Sequence, residues 1–258
     1  MELEFAQSIL SNFGLKESIV SIKGIESGLI NSTFQLNSKT NSYIIQAINT
    51  NIFPNYEKGL ENILAVGNWL KSKNYPYLFP LPVKGEYFKV KNKVWRLMPF
   101  VKNSISYNRV SSLDQVKCAA NCLGEFYHYL SDFKTKNLLI TLPNFHNGEF
   151  IIKKFEEALM GGDSKRLLLA KPIINEIFNE LPILKKWDKV CNSLPTRVVH
   201  YDTKINNFLF DTKTDEVLAI IDFDTLMPGC VLSDIGDMIR TYSNPVGEES
   251  KEIEKVVC

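Results

Sequence analysis

Four side chains between Arg197 and Leu226 have the types and the spacing for chemistry on a phosphate: His200, Asp202, Asn207 and Asp222. The histidine stands two residues before the first aspartate, the asparagine five after it, and the second aspartate follows one strand later. Phosphoryl transfer to an alcohol asks little covalent work of a protein. It needs an acceptor for the hydroxyl proton, cations to neutralise a triphosphate, and accurate positioning. Asp202 is the carboxylate spaced to take the proton. Asn207 and Asp222 offer hard oxygen donors, which suit magnesium.

These residues need elements to hold them. A β-branched run, Val198-Val199, leads into a polar loop from His200 to Asn207. A hairpin pattern follows over Phe208–Asp211 and Val217–Ile221, with its turn at Thr212–Asp215, and it ends on Asp222-Phe223-Asp224. The loop has the spacing of a kinase catalytic loop, and the hairpin end that of a kinase metal-binding aspartate. Either half alone fits a hairpin between Asp- and Asn-rich surface loops equally well. Both halves, in order, favour the chemistry.

With 258 residues the chain allows one large domain or two small ones. A hydrophobic share of 45%, a charged share of 23% and a net charge of +1 describe an ordinary globular protein without a nucleic-acid footprint. No apolar run reaches spanning length, so no membrane is expected. The start, MELEFAQSIL, lacks a signal-peptide layout. The five cysteines are scattered, and Cys118 and Cys122, one helical turn apart, have no further ligands to complete a zinc site. The expectation is a cytoplasmic protein with reduced thiols. The oligomeric state stays open.

Residues 2–13 carry apolar side chains at helical spacing, stopped by Gly14. Strands are expected over 19–25, 33–36 and 43–46, with Glu26-Ser27-Gly28-Leu29-Ile30-Asn31-Ser32 between the first two. That segment is either an ordinary turn or a place where backbone N–H groups approach a triphosphate. A helix over 56–72 and strands over 87–90 and 94–98 complete an α+β lobe of five strands ending near residue 101. Ser112 to Gln115 forms a capping box for a helix that turns Val116, Ala120, Leu123, Tyr127 and Leu130 inward and leaves His128 on the surface. A short helix over 150–160 ends at Gly161-Gly162. Pro172 opens another, which Pro182 kinks or restarts. The last begins near Asp234. The fold class expected is α+β: a protein-kinase-like two-lobed fold, with a small five-stranded antiparallel lobe (1–101) and a mainly helical lobe (102–258). A nucleotide would lie in the cleft with its base near Met98, Phe100 and Val101.

Nine stretches add a more specific likeness: GLINSTFQL, YIIQAINTNIF, LENI, WRLMPFV, ISY, LPNFH, HYDTKINNFLF, IDFDTLMPG and DIGDMIRT, spread from residue 28 to residue 241. On these the chain resembles the aminoglycoside phosphotransferase and choline kinase superfamily, and within it the N-acetylhexosamine 1-kinase group. The resemblance implies an ATP- and magnesium-dependent kinase acting on the anomeric hydroxyl of an N-acetylhexosamine. The alternatives are another alcohol, such as choline or an aminoglycoside, or a degenerate fold that binds nucleotide without turnover. It implies Asp202 as catalytic base, His200 as its brace, and Asn207 and Asp222 as metal ligands. Nucleotide contacts are expected from Ser32, Gln46, Glu61 and Lys204, and acceptor contacts from Asn31, His146 and Asp224, with Phe145 beside His146. Asp234, Asp237 and Arg240 are expected to hold the loop through buried ion pairs.

Two departures bear on these expectations. The family usually carries a basic residue after the strand glutamine, where this chain has Ala47. Glu61 is then expected to lack its partner, and the phosphate grip to be weaker. The family also continues with further helices beyond the position of Cys258. The chain is therefore expected to be truncated at its C-terminus and weak in acceptor turnover.

Overall fold

The computed structural model describes residues 1–25 and 30–246. The Glu26 to Leu29 part of the first turn, with Gly28, lies outside the described residues, as do 247–258, on which the expectation about the C-terminus falls.

Helix α1 (Leu3–Asn12) precedes a sheet of β1 (Ile19–Ile25), β2 (Ser32–Ser38), β3 (Ser42–Ile48), β4 (Tyr87–Val90) and β5 (Lys93–Pro99). The strand order is β1-β2-β3-β5-β4, and every pair is antiparallel. Period-two alternation gives the sheet two faces. Phe34, Ile45 and Leu97 share a cross-strand row with one another, and Ser32, Ala47 and Trp95 share the next. Leu36, Ile45, Ala47, Trp95 and Leu97 pack against Ala6, Ile9 and Leu10 of α1 and Phe13 just after it. The intervening row, Thr33, Gln46 and Arg96, lies on the opposite face. Gly14 leaves α1 in the left-handed region (φ 68°), which glycine enters at little cost.

Helix α2 (Tyr56–Ser72) follows β3. The residue pattern groups it with the sheet, yet it buries Ile63, Val66 and Leu70 in a second core. There they meet α3 (Leu113–Tyr129) through Ala119, Cys122 and Phe126, and the hairpin that follows the His200–Asn207 loop through Phe208, Phe210 and Ile220. The chain returning from α2 runs along the hairpin, with Leu78 N–H donating to the Leu218 carbonyl at 2.8 Å. A Cβ on Gly67 would lie 2.5 Å from the Leu81 side chain, so Leu81 and Phe79 pack directly over this glycine.

Ser112 caps α3 by accepting from Gln115 N–H at 3.2 Å. The reciprocal bond is shifted by one residue: the Gln115 amide oxygen accepts from the Ser111 N–H. The buried face of α3 also differs from the expected one. It carries Gln115, Ala119, Cys122, Leu123 and Phe126, while Ala120 is exposed. Gln115 faces inward because its amide also donates to Asp215 at 3.1 Å, which satisfies a buried polar group and turns the helix by about one residue.

Helix α4 spans Gly148–Met160, and α5 runs unbroken over Ser164–Ser193. Neither Pro172 nor Pro182 begins or divides α5, contrary to the expected break. Asp163 starts it by accepting from Arg166 N–H at 3.0 Å. Each proline removes one donor, but no α5 residue is fully buried, so water can reach the carbonyls left open.

Strands β6 (Ser104–Ile105), β7 (Arg197–Val199), β8 (Phe208–Asp211), β9 (Val217–Ile220) and β10 (Met227–Gly229) frame the loop from His200 to Asn207, and α6 (Leu232–Tyr242) follows. β8 pairs with both β6 and β9, and β7 pairs antiparallel with β10. The result is a kinase-like fold of two lobes. Among the described residues no helix is long and apolar enough to cross a membrane.

Candidate active site

β7 delivers the loop and the β8–β9 hairpin closes it. Asp234, fully buried on α6, fixes the turn between them. Its carboxylate accepts from His200 N–H at 2.9 Å, from Tyr201 N–H at 2.6 Å and from the Tyr127 hydroxyl. These partners are neutral donors, where a buried ion pair was expected. Asp237 does pair with Arg240 at 2.7 Å, but Arg240 is half exposed. Burial raises the Asp234 pKa and, with the nearby carboxylate, that of the Tyr127 phenol.

His200 is also fully buried. Its Nε2 pairs with the Ile221 carbonyl at 2.9 Å, and its Nδ1 accepts from Asp202 N–H at 3.2 Å. The imidazole thus ties the Asp202 backbone to the chain just before Asp222. Phe223 packs beside it, stacked on Phe79 with centroids 3.9 Å apart.

Asn207, at the end of a single 3₁₀ turn, directs its amide nitrogen to Asp202, to the backbone carbonyl at 2.8 Å and to Oδ2 at 2.9 Å. An amide nitrogen has two hydrogens, so the donor side is fully engaged and the carbonyl oxygen is the side left for a cation. Lys204 Nζ lies 3.1 Å from the same Asp202 Oδ2.

Asp222 ends the hairpin in the left-handed region (φ 68°). Aspartate tolerates that region better than most residues, and such positions concentrate at functional sites. Its side chain is 37% exposed to the cleft, and protein surrounds it elsewhere. Burial, reinforced by the Asp224 charge, raises its pKa to about 6.

Asp202, Lys204, Asn207, Asp222 and Asp224 line one cavity of about 370 Å³ between the sheet and the hairpin. Asn31, Gln46, Met98, Phe100 and Val101 line it from the other side. Of the expected site residues, four lie elsewhere. Ser32 is exposed and shares a cross-strand row with Ala47, so the cavity receives Thr33 in its place. Glu61 is exposed and does not line the cavity; its neighbour Asn62 is buried, bonded to Leu139 and to the Leu226 carbonyl. His200 acts from beneath the loop. His146 stacks on Phe145 and meets Tyr201 edge-on outside the cavity, and burial lowers its pKa.

The residue pattern does not single out Arg96 as a site group. It is buried, opposite Gln46, and lines the cavity. Its guanidinium forks onto Asp224, with Nη2 to Oδ2 at 3.0 Å, and its Nε donates to Gln46 at 2.8 Å. The alternation of β5 holds the signal: Trp95 and Leu97 face the core, so Arg96 must face the cleft. Ala47 sits in the α1 core and leaves no gap in the cleft.

Among the described residues no three His, Cys, Asp or Glu side chains cluster as a metal cage. Magnesium needs only one or two carboxylates with phosphate and water, so Asp222 and the Asn207 carbonyl fit it.

Comparison with solved structures finds the same fold at low sequence identity. A spectinomycin phosphotransferase in complex with ADP and spectinomycin superposes with a TM-score of 0.64 at 16% identity, covering 91% of this chain and 72% of that one. A choline kinase from Streptococcus pneumoniae gives 0.58 at 14% identity, covering 92% and 73%. A putative aminoglycoside phosphotransferase from Ralstonia eutropha gives 0.55 at 15% identity, covering 95% and 71%. The model of the phosphotransferase enzyme family matches residues 21–253, and the chain belongs to that family.

Proposed function

We propose that the protein is an ATP- and magnesium-dependent small-molecule kinase that transfers the γ-phosphate to a hydroxyl, by preference the anomeric hydroxyl of an N-acetylhexosamine. One observation carries the reading: Asp202 and Asp222 face a single cavity, one braced by Asn207 and the other at the end of the same hairpin. Asp202 Oδ2 is held by Asn207 and Lys204, which leaves Oδ1 for the acceptor proton. Magnesium, when bound, neutralises charge on the phosphates.

The nucleobase fits the strip at the end of β5. Phe100 N–H donates back to Ser42 at 3.3 Å. Pro99, Phe100 and Val101 line the cavity there, beside Met98. Ile44, Leu209 and Ile221 supply apolar lining. The spectinomycin phosphotransferase of like fold holds ADP, which supports a nucleotide donor.

The resemblance supports an N-acetylhexosamine, and the site's charge agrees with a neutral acceptor. Asp224 is matched by Arg96 and Asp202 by Lys204, which favours an uncharged polyol over a polycation. The test is nucleotide consumption with ATP or GTP against N-acetylglucosamine, N-acetylgalactosamine, choline and an aminoglycoside. Turnover with an N-acetylhexosamine is the expected result. Turnover with choline or an aminoglycoside alone overturns the acceptor, and nucleotide binding without any turnover overturns the kinase.

A further inference from the structure

The cavity floor holds two carboxylates two residues apart, Asp222 and Asp224, and one buried guanidinium between them. A buried charge needs a partner, and Arg96 divides its partnership unequally. It meets Asp224 with a two-pronged fork, whereas Asp222 Oδ1 lies 3.7 Å from Nη2, beyond hydrogen-bond length. The arrangement is held from both sides. Gln46 accepts from Arg96 Nε at 2.8 Å, and Tyr87 accepts from Nη1 at 3.4 Å. Asn31 donates to Asp224 Oδ2 at 2.7 Å and accepts from Asn49 N–H at 2.9 Å. Gln46 in turn donates to Thr33 at 3.0 Å. Sheet and hairpin together therefore aim the guanidinium at Asp224.

We propose that Arg96 is a positioning residue that allocates charge on this turn: by cancelling Asp224 it leaves Asp222 as the carboxylate that takes a divalent cation. This deepens the kinase reading and rests on it. Two uncancelled carboxylates would share a cation and draw it away from the place set by Asn207. A guanidinium released from Asp224 would swing to Asp222 and cover it. Removing either partner alone thus moves cation affinity in opposite directions, which a merely structural bridge would not do.

The experiment measures Mn²⁺ binding to the full chain by electron paramagnetic resonance, without nucleotide, alongside turnover. Asp224→Asn frees Arg96 onto Asp222, and Mn²⁺ affinity is expected to fall by at least about tenfold, the order set by a unit charge a few ångström away at a partly exposed site. Arg96→Met leaves both acids uncancelled, so affinity is expected to rise while turnover falls. Arg96→Met with Asp224→Asn removes the pair together and is expected to return affinity to the wild-type value. If Arg96→Met does not fold, Asp224→Asn against the double variant decides alone. Equal affinity in those two, tighter binding in Asp224→Asn, or no Mn²⁺ binding to the wild-type protein overturns the proposal. If the Mn²⁺ pattern holds but no acceptor is phosphorylated, the kinase reading fails and the charge allocation stands. If the wild type phosphorylates and the affinities do not separate, only the allocation fails.

Discussion

Asn207 donates to Asp202 twice, to the backbone carbonyl at 2.8 Å and to the carboxylate at 2.9 Å. Asparagine and aspartate therefore act as one unit, and the loop between them is closed from inside. In the proposed reaction the carboxylate is thus aimed before an acceptor arrives, which is what a positioned base requires.

Replacing Asp202 with asparagine keeps the shape and removes the proposed proton acceptor. Turnover is expected to fall by about 10²–10⁴-fold, the usual contribution of a positioned base. ATP affinity, measured by calorimetry, is expected to stay within a few-fold of wild type. Near-normal turnover would reassign the base.

Asp222→Ala removes the carboxylate at the end of the hairpin. The expected outcome is loss of the magnesium dependence of ATP binding, read by comparing affinity in magnesium with affinity in a chelator. Wild-type protein should bind ATP much more weakly in the chelator, and the variant should bind equally weakly in both. A variant that still gains affinity from magnesium places the metal ligands elsewhere.

Much of the candidate site was legible because the proposed chemistry fixes spacing within one short stretch. His200, Asp202, Asn207 and Asp222 are joined by a loop and a hairpin, so chain order nearly determines their proximity. The contributions from the sheet were harder to see. Ala47 draws attention because it follows Gln46, yet strand alternation turns it into the α1 core at 5% exposure. Arg96 comes from the neighbouring strand, and only the register of β3 with β5 sets it opposite Gln46. Glu61 and Asn62 differ by one position on α2, and the packing of Ile63 and Val66 decides which of them is buried. Proline signals in α5 misled for a related reason: an exposed helix tolerates what a packed one does not.

This placement reverses a simple engineering expectation. Ala47→Arg adds a charge at the usual family position, but the side chain would enter the cluster of Ile9, Leu10, Ile45 and Leu97. Burying an unpaired cation costs several kcal/mol, and overpacking alone costs about 1–3. The variant is expected to melt well below wild type with no gain in ATP affinity. Tighter ATP binding at unchanged stability would show that position 47 reaches the phosphates.

Asp234→Ala tests the support beneath the loop. It strands the His200 and Tyr201 N–H groups, and each unpaired buried donor costs about 1–3 kcal/mol. Chemical denaturation should show the loss, and turnover should fall with it because Tyr201 adjoins Asp202 and His200 accepts from its N–H. Unchanged stability would mean that water replaces the carboxylate.

Gly229→Ala separates positioning from stability. A Cβ there would stand 1.8 Å from the Tyr201 hydroxyl and 2.5 Å from its ring. Tyr201 has little room to yield. Its backbone is in the left-handed region (φ 67°), its N–H is held by Asp234, and its ring meets Phe145 and His146 edge-on. The strain therefore passes to the adjoining Asp202. A displacement of about 1 Å can cost on the order of 10²-fold in rate, so kcat is expected to drop by at least about tenfold. Nucleotide affinity should hold, because Met98 to Val101 and Asp222 lie away from the contact. A variant with wild-type kcat would show that the tyrosine moves aside without disturbing the loop.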